Sequence, residues 1–196
     1  MHTYRINEIF YSLQGEGRHT GRAAIFVRFS GCNLKCPFCD TDFQSYNELT
    51  GCEIAAELQR WEQCRFVVLT GGEPSLQVDD ELVTLLKARG YYLAMETNGT
   101  HSVTEGIDWV TLSPKSAFTG GGLPLAVTSA NELKVVFDGC SPDDYDHITA
   151  EYRYLQPCDT GDKKRNDVIM AQCVEYIKKN PKWRLSLQTH KLINIP

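Results

Sequence analysis

Seven apolar stretches of this chain each run straight into a polar cluster or a turn. AAIFVRFSG (23–31) runs into a cysteine-rich segment, and FVVLTGG (66–72) runs into Glu73 and Pro74. YYLAMETNG (91–99), WVTLSPK (109–115), NELKVVFDG (131–139), YRYLQP (152–157) and WRLSLQTHK (183–191) follow. Between them, TGCEIAAELQRW (50–61), DDELVTLLKARG (79–90) and RNDVIMAQCVEYIKKN (165–180) read as helices. Thr50 and Glu53 have capping-box spacing, and Gly90 is placed to stop the second helix. Ser141 or Asp143 is a candidate cap for a short further helix. Strands alternating with helices predict an α/β fold with a largely parallel sheet. Six or seven strands fall short of a closed eight-stranded barrel, so a partial, open parallel β/α barrel is expected. No linker divides the chain, which reads as one domain over 1–196. The Gly-rich stretch 119–131 is expected to be a mobile loop.

In such sheets ligands gather at the carboxyl ends of the strands. One polar cluster there is an ordinary turn; six on the same edge outline a single pocket. The chain has 196 residues and a formal net charge of -5, which argues against a broad basic surface for nucleic acid. No apolar run reaches membrane-spanning length, and MHTYRINEIF lacks the character of an export signal. A soluble, cytoplasmic protein is expected. Its eight cysteines do not read as a disulfide framework in a chain of this size. Cys52, Cys64, Cys140, Cys158 and Cys173 are scattered and expected as small buried side chains.

The other three are not scattered. GCNLKCPFCDT (31–41) places Cys32, Cys36 and Cys39 in a C-x3-C-x2-C spacing. A structural zinc ion takes four ligands, usually as two separated pairs, and no second pair follows. His190 or Cys158 could complete such a site, so a zinc-stabilised binding module stands as the non-enzyme alternative. A [4Fe-4S] cluster normally takes four thiolates. Held by three, it keeps one iron open to a further ligand.

Phe38 precedes the last of these cysteines, and Gly71, Gly72, Glu73 and Pro74 follow a strand downstream. With these features the chain resembles the radical S-adenosylmethionine (SAM) superfamily, in which SAM chelates the open iron and is cleaved to a 5′-deoxyadenosyl radical. The glycines of that motif let backbone approach the methionine part of SAM, and Glu73 can accept from its ammonium. FYSLQGEG (10–17), RFSGCNLKCPFCDTDF (28–43), VVLTGGEP (67–74), METNGT (95–100), LSPK (112–115), NELKVV (131–136), LQPCD (155–159) and LSLQTHKLINIP (185–196) resemble the 7-carboxy-7-deazaguanine synthase family over nearly the whole chain.

That resemblance implies conversion of 6-carboxytetrahydropterin to 7-carboxy-7-deazaguanine with loss of ammonia. It implies SAM contacts from Phe38, Cys39 and Asp40, from Gly72 and Glu73, from Ser113, Pro114 and Lys115, and from Gln156, Pro157, Cys158 and Asp159. Leu13, Gln14, Gly15, Glu16, Arg28, Thr70 and Pro196 are implied to contact the pterin, with Arg28 offering a planar fork to its carboxylate. Thr41 is implied to help bind Mg²⁺, a cation that prefers oxygen and keeps several waters. Glu96 and His190 are candidates for moving protons at the ring. A flavodoxin or ferredoxin as electron donor and a homodimer are also implied. The short spacing between the first two cysteines departs from members with a long insertion there, and costs no ligand. The nearest enzyme alternative is a radical SAM activating enzyme; the additional ferredoxin-like cysteine clusters such enzymes often carry are absent from this sequence.

Overall fold

The computed structural model describes residues 2–39, 45–119, 124–139 and 142–196. The chain opens with β1 (Thr3–Leu13), which pairs antiparallel with both β2 (Ala23–Phe29) and β3 (Asn47–Thr50). From β2 onward the sheet is parallel, through β4 (Phe66–Gly71), β5 (Tyr92–Thr97), β6 (Trp109–Leu112), β7 (Ser129–Phe137), β8 (Thr149–Pro157) and β9 (Arg184–Leu185). The order is β3-β1-β2-β4-β5-β6-β7-β8-β9, a nine-stranded open sheet rather than a closed barrel.

The seven expected strands are the seven parallel ones. The two antiparallel strands were not anticipated, and the reason is local. The register of β1 shifts between Ile6 and Glu8, so Tyr4 and Ile6 are buried before the break while Ile9, Phe10 and Tyr11 are all partly buried after it. A bulge of this kind breaks the period-2 pattern by which a strand is read.

The helices begin where their caps lie. Thr50 Oγ1 accepts from Glu53 N at 3.3 Å and the Glu53 carboxylate accepts from Thr50 N at 2.7 Å, starting α1 (Gly51–Leu58). Asp79 accepts from Leu82 N at 2.9 Å at the head of α2 (Asp80–Ala88), and Gly90 follows with φ 77. Asp162 caps α3 (Lys163–Lys179), which therefore begins two residues earlier than its apolar pattern suggests. The short helix after 139 is a 3-10 turn over Pro142–Tyr145; the Ser141 cap and the Asp143 side chain lie outside the described residues. So do positions 120–123 of the expected mobile loop.

One face of the sheet packs on these helices. Ile25, Val27, Val67, Leu69, Leu93 and Met95 form a core with Ile54, Leu58, Leu82 and Leu86. Leu133, Val135, Phe137 and Leu155 form a second with Ile169 and Cys173. The alternating residues Phe26, Arg28, Val68, Thr70, Glu96, Lys134, Val136 and Gln156 face the other way, into one cavity. Strands as far apart as β1 and β8 contribute to it, so the sheet is curled into a partial barrel.

The stretch 183–191 is corrected by the structure. It is strand only over Arg184–Leu185; the chain then turns into α4 (Thr189–Ile193), so His190 sits on a helix rather than a strand. Thr189 N donates to Gly15 O at 3.0 Å and Ser12 Oγ donates to Pro196 O at 2.8 Å. These bonds take the last segment from the β9 edge to the connection between β1 and β2, spanning the gap that the open sheet leaves. Among the scattered cysteines, Cys64, Cys158 and Cys173 are buried as expected, Cys52 is exposed, and Cys140 lies outside the described residues. No helix among the described residues is long and apolar enough to cross a membrane.

Candidate active site

The cavity has a volume of about 630 Å³, within the ~300–1,000 Å³ usual for small-molecule sites. Its rim is the set of strand ends noted in the sequence: Cys36, Phe38 and Cys39 after β2, Thr70 on β4 and Gly72 just after it, Glu96 on β5, and Ser113 and Lys115 after β6. Gln156, Pro157, Cys158 and Asp159 complete it at β8, with His190 and Pro196 from the last segment. Leu13, Gln14, Gly15, Glu16 and Arg28 line the side formed by β1 and β2. Cys32, Glu73 and Pro114 are not among the lining residues; Glu73 and Pro114 are buried and Cys32 is half-buried. Asp40 and Thr41 fall outside the described residues.

The cysteine loop is fastened by the glycine pair at the end of β4, Gly71 within the strand and Gly72 just after it. Gly72 N donates to Phe29 O and Glu73 N to Gly31 O, each at 2.9 Å. A Cβ at Gly72 would stand 1.9 Å from Gly31 O, and Gly71 adopts φ 119 with its Cβ position 2.2 Å from Phe29 O. These two glycines are thus required by the chain's own packing. Glu73, 1 % exposed, accepts from Ser75 N, Ser75 Oγ, Thr97 Oγ1 and Asn98 N, and so locks the turn after β5 to the turn after β4. Asn98 Nδ2 donates to Asn33 Oδ1 at 3.1 Å, tying that turn to the cysteine loop as well.

Cys32 and Cys36 are half-buried and Cys39 is exposed, all as free thiols. Burial pushes Cys32 and Cys36 above the ordinary thiol range; the Leu34 N–H opposes this at Cys32, and the Lys115 charge opposes it at Cys36. No three His, Cys, Asp or Glu side chains among the described residues converge on a single-ion site. Three thiols on one loop, with Cys36 and Cys39 lining the cavity, suit a [4Fe-4S] cluster held by three thiolates with one iron left for a further ligand. Lys115 donates to Ser113 O at 2.7 Å and Ser113 Oγ at 2.5 Å; burial, with the nearby Lys134 charge, pushes its pKa down.

The floor of the cavity is a charge cluster. Lys134, 5 % exposed, donates to Glu16 Oε2 at 2.6 Å and Glu96 Oε2 at 2.8 Å. Gln188 Nε2 donates to Glu16 Oε1 at 3.1 Å, and Gln14 Nε2 to Glu96 Oε1 at 3.2 Å. Burial raises the pKa of Glu16, but the Lys134 charge and hydrogen bond outweigh it and hold the carboxyl at about 2. Glu132 lies beneath, accepting from Arg18 N at 2.9 Å; burial pushes it up to about 7 against the pull of Lys134. At Gly15 a Cβ would meet His190 Nδ1 at 2.1 Å, so the His190 ring of α4 packs directly on the bare Cα of the β1–β2 connection. Arg28 Nε donates to Glu8 Oε1 at 2.8 Å, and Asp159 accepts from Gly161 N, Asn166 Nδ2 and Lys191 Nζ.

Lys134, Glu132 and Gln188 were not singled out from the sequence as site residues. The signal was present: in NELKVV two charges alternate with apolar residues, which puts both on one face of a strand. Nothing in that pattern says whether the face is solvent or cavity.

Comparison with known proteins agrees with this geometry. Residues 26–119 match the model of the Radical SAM superfamily. The chain is 50 % identical to a 7-carboxy-7-deazaguanine synthase of Bacteroides thetaiotaomicron, over 97 % of this chain and 98 % of that protein. It is 46 % identical to one of Nitratidesulfovibrio vulgaris, over 99 % and 100 % respectively. The crystal structure of QueE from Escherichia coli aligns with a TM-score of 0.75 at 31 % identity, covering 96 % of this chain and 95 % of that one.

Proposed function

We infer the reaction from one premise: this chain belongs to the 7-carboxy-7-deazaguanine synthase family of the radical SAM superfamily. It is a radical SAM enzyme of deazapurine biosynthesis. Its reaction is the conversion of 6-carboxy-5,6,7,8-tetrahydropterin to 7-carboxy-7-deazaguanine with release of ammonia. The observation that carries this reading is the meeting, in one cavity, of Cys36 and Cys39 with the acceptors Glu16 and Glu96 and the guanidinium of Arg28.

Cys32, Cys36 and Cys39 would hold the cluster, and Phe38, Gly72, Ser113, Lys115 and the stretch 156–159 would hold SAM. When bound, cluster and SAM together supply the one-electron chemistry that removes a hydrogen atom from the substrate. The protein's share is placement and exclusion of water. Glu16 and Glu96 present carboxylate oxygens to the N–H groups of the aminopyrimidinone edge, with the Gln14 and Gln188 amides beside them. Arg28, its Nε already on Glu8, turns its remaining N–H groups to the substrate carboxylate. His190 and Glu96 move protons at the ring as ammonia leaves and the new ring becomes aromatic. Thr41 would supply a hydroxyl oxygen to Mg²⁺, a cation that oxygen ligands suit. An external flavodoxin or ferredoxin supplies electrons, the enzyme works as a homodimer, and its compartment is the cytoplasm, where thiols stay reduced.

The test is anaerobic. Reconstituted protein is expected to carry about four iron and four sulfide per chain. Given SAM, a reductant and 6-carboxytetrahydropterin, it is expected to release the deazaguanine and ammonia. Stoichiometric zinc without sulfide, or SAM cleavage with no product from the pterin, overturns the reading.

A further inference from the structure

The charge cluster on the cavity floor has more order than two acceptors need. Each carboxylate uses its two oxygens in the same way. Glu16 places Oε2 on Lys134 and Oε1 on the Gln188 amide; Glu96 places Oε2 on Lys134 and Oε1 on the Gln14 amide. Gln14 Oε1 in turn accepts from Glu16 N at 3.2 Å, which joins the two halves. The parts come from distant segments: the β1–β2 connection, β5, β7 and the turn before α4. The two carboxylates share one nitrogen, Lys134 Nζ.

We propose that Lys134 is the positioning residue of this site: it holds Glu16 and Glu96 in register as a matched pair of ionised acceptors for the N–H edge of the pterin ring. This rests on the reading given above. Lys134 acts through the two carboxylates. A carboxylate oxygen has two lone-pair directions, so an oxygen that receives one hydrogen bond from within the chain keeps one for the substrate. The ammonium fixes which direction is left. Other charges face this cluster from every side: Glu132 on β7 beneath it, Lys115 after β6, and His190 of α4 beside Glu16. Among the described residues, Lys134 is the cation that touches both acceptors.

Removing the ammonium leaves two buried carboxylates facing each other. Like charges at close range do not both ionise, so one takes up a proton in the neutral range. A protonated glutamic acid presents an O–H where the ring needs an acceptor, so substrate binding then depends on pH. Lys134→Met, similar in length and uncharged, tests this in reconstituted holoprotein. The readouts are KM and kcat for the pterin from pH 6 to 9, and calorimetric binding of 7-carboxy-7-deazaguanine over the same range. The expected result is a new ionisation absent from the wild-type profile, with binding weakened by a factor approaching about tenfold for each unit by which pH falls below it. KM carries the effect more than kcat. Lys134→Met combined with Glu96→Gln removes the like-charge pair and is expected to lose the new ionisation in calorimetric binding, the readout that does not pass through the proton-moving role of Glu96. A Lys134→Met profile with the wild-type shape, or a double variant that keeps the ionisation, overturns the proposal.

Reductive SAM cleavage reports whether the variants are folded with an intact cluster. Should Lys134→Met fail to fold, Lys134→Arg decides. It keeps the charge, so its profile keeps the wild-type shape, while the wider guanidinium displaces the carboxylates and raises KM about tenfold. A wild-type KM in that variant overturns the proposal. Failure of the functional reading looks different: wild-type protein then cleaves SAM and forms no product.

Discussion

A missing methyl group at position 72 decides whether the cysteine loop can dock. The Cβ of an alanine there would stand 1.9 Å from Gly31 O, closer than any relaxed contact, and both sides of that clash are held in place by backbone hydrogen bonds. Gly72→Ala is expected to cost about 2 kcal/mol or more and to lower iron incorporation in parallel, measured by denaturation midpoint and iron content. Two carboxyl groups of the floor make opposite predictions about pH. Glu16 is held at about 2 against an ordinary 4.5, so the stability it contributes is present above pH 4.5 and is lost as pH falls toward 2. Glu132 is raised from 4.5 to about 7, so the folded state holds its proton more tightly than the unfolded chain. Stability therefore declines as pH rises through that window, by about 3 kcal/mol. Glu132→Gln keeps the acceptor for Arg18 N and is expected to remove that decline, seen as a smaller difference in unfolding free energy between pH 5 and pH 8. The residue scale is also where reading the sequence worked least evenly. Cys32, Cys36, Cys39, Glu16 and Glu96 stood out because their types carry chemistry. Lys134 did not, because a lysine within an apolar strand carries no sign of which face is enclosed.

At the scale of elements, the segment after β9 does work that no strand does. Through Thr189 on Gly15, Gln188 on Glu16 and Pro196 on Ser12 it bridges the open side of the sheet, while Leu192 and Ile193 point outward. Its helix has five residues, too short to form by its own propensity, so its shape comes from what it touches. Removal of residues 189–196 is expected to raise KM for the pterin by about tenfold or more, the equivalent of one or two lost hydrogen bonds to an ordered wall. Reductive SAM cleavage is expected to persist, since the cysteine loop is fastened to β4 and β5. Loss of both activities together would show that the segment supports the whole fold instead. The capped helices α1, α2 and α3 were legible because capping residues and apolar period agree within a few positions of sequence. The α4 segment was misread as strand because its contacts lie some 170 residues away, with residues 12–16.

Across the whole molecule, the two apolar cores lie under one continuous sheet, and Val103 packs against both. We propose that the chain is a single domain on this ground, and expect one cooperative thermal transition, coincident by far-UV circular dichroism and tryptophan fluorescence. Two separated transitions would divide it between β5 and β6. The alternation of apolar strands and capped helices determined the parallel α/β class from sequence alone, since burial on both faces and short-range capping are properties of local composition. The cysteine spacing and the Gly-Gly-Glu turn likewise determined the kind of chemistry, because ligand spacing along a loop is itself a local constraint. The curl of the sheet, the antiparallel β1 and β3, the closing role of the last segment and the convergence of Glu16, Glu96 and Glu132 on Lys134 were decided only by the tertiary structure. Each of these depends on which distant strands share a face and a cavity, a relation set by packing between segments that no local pattern records.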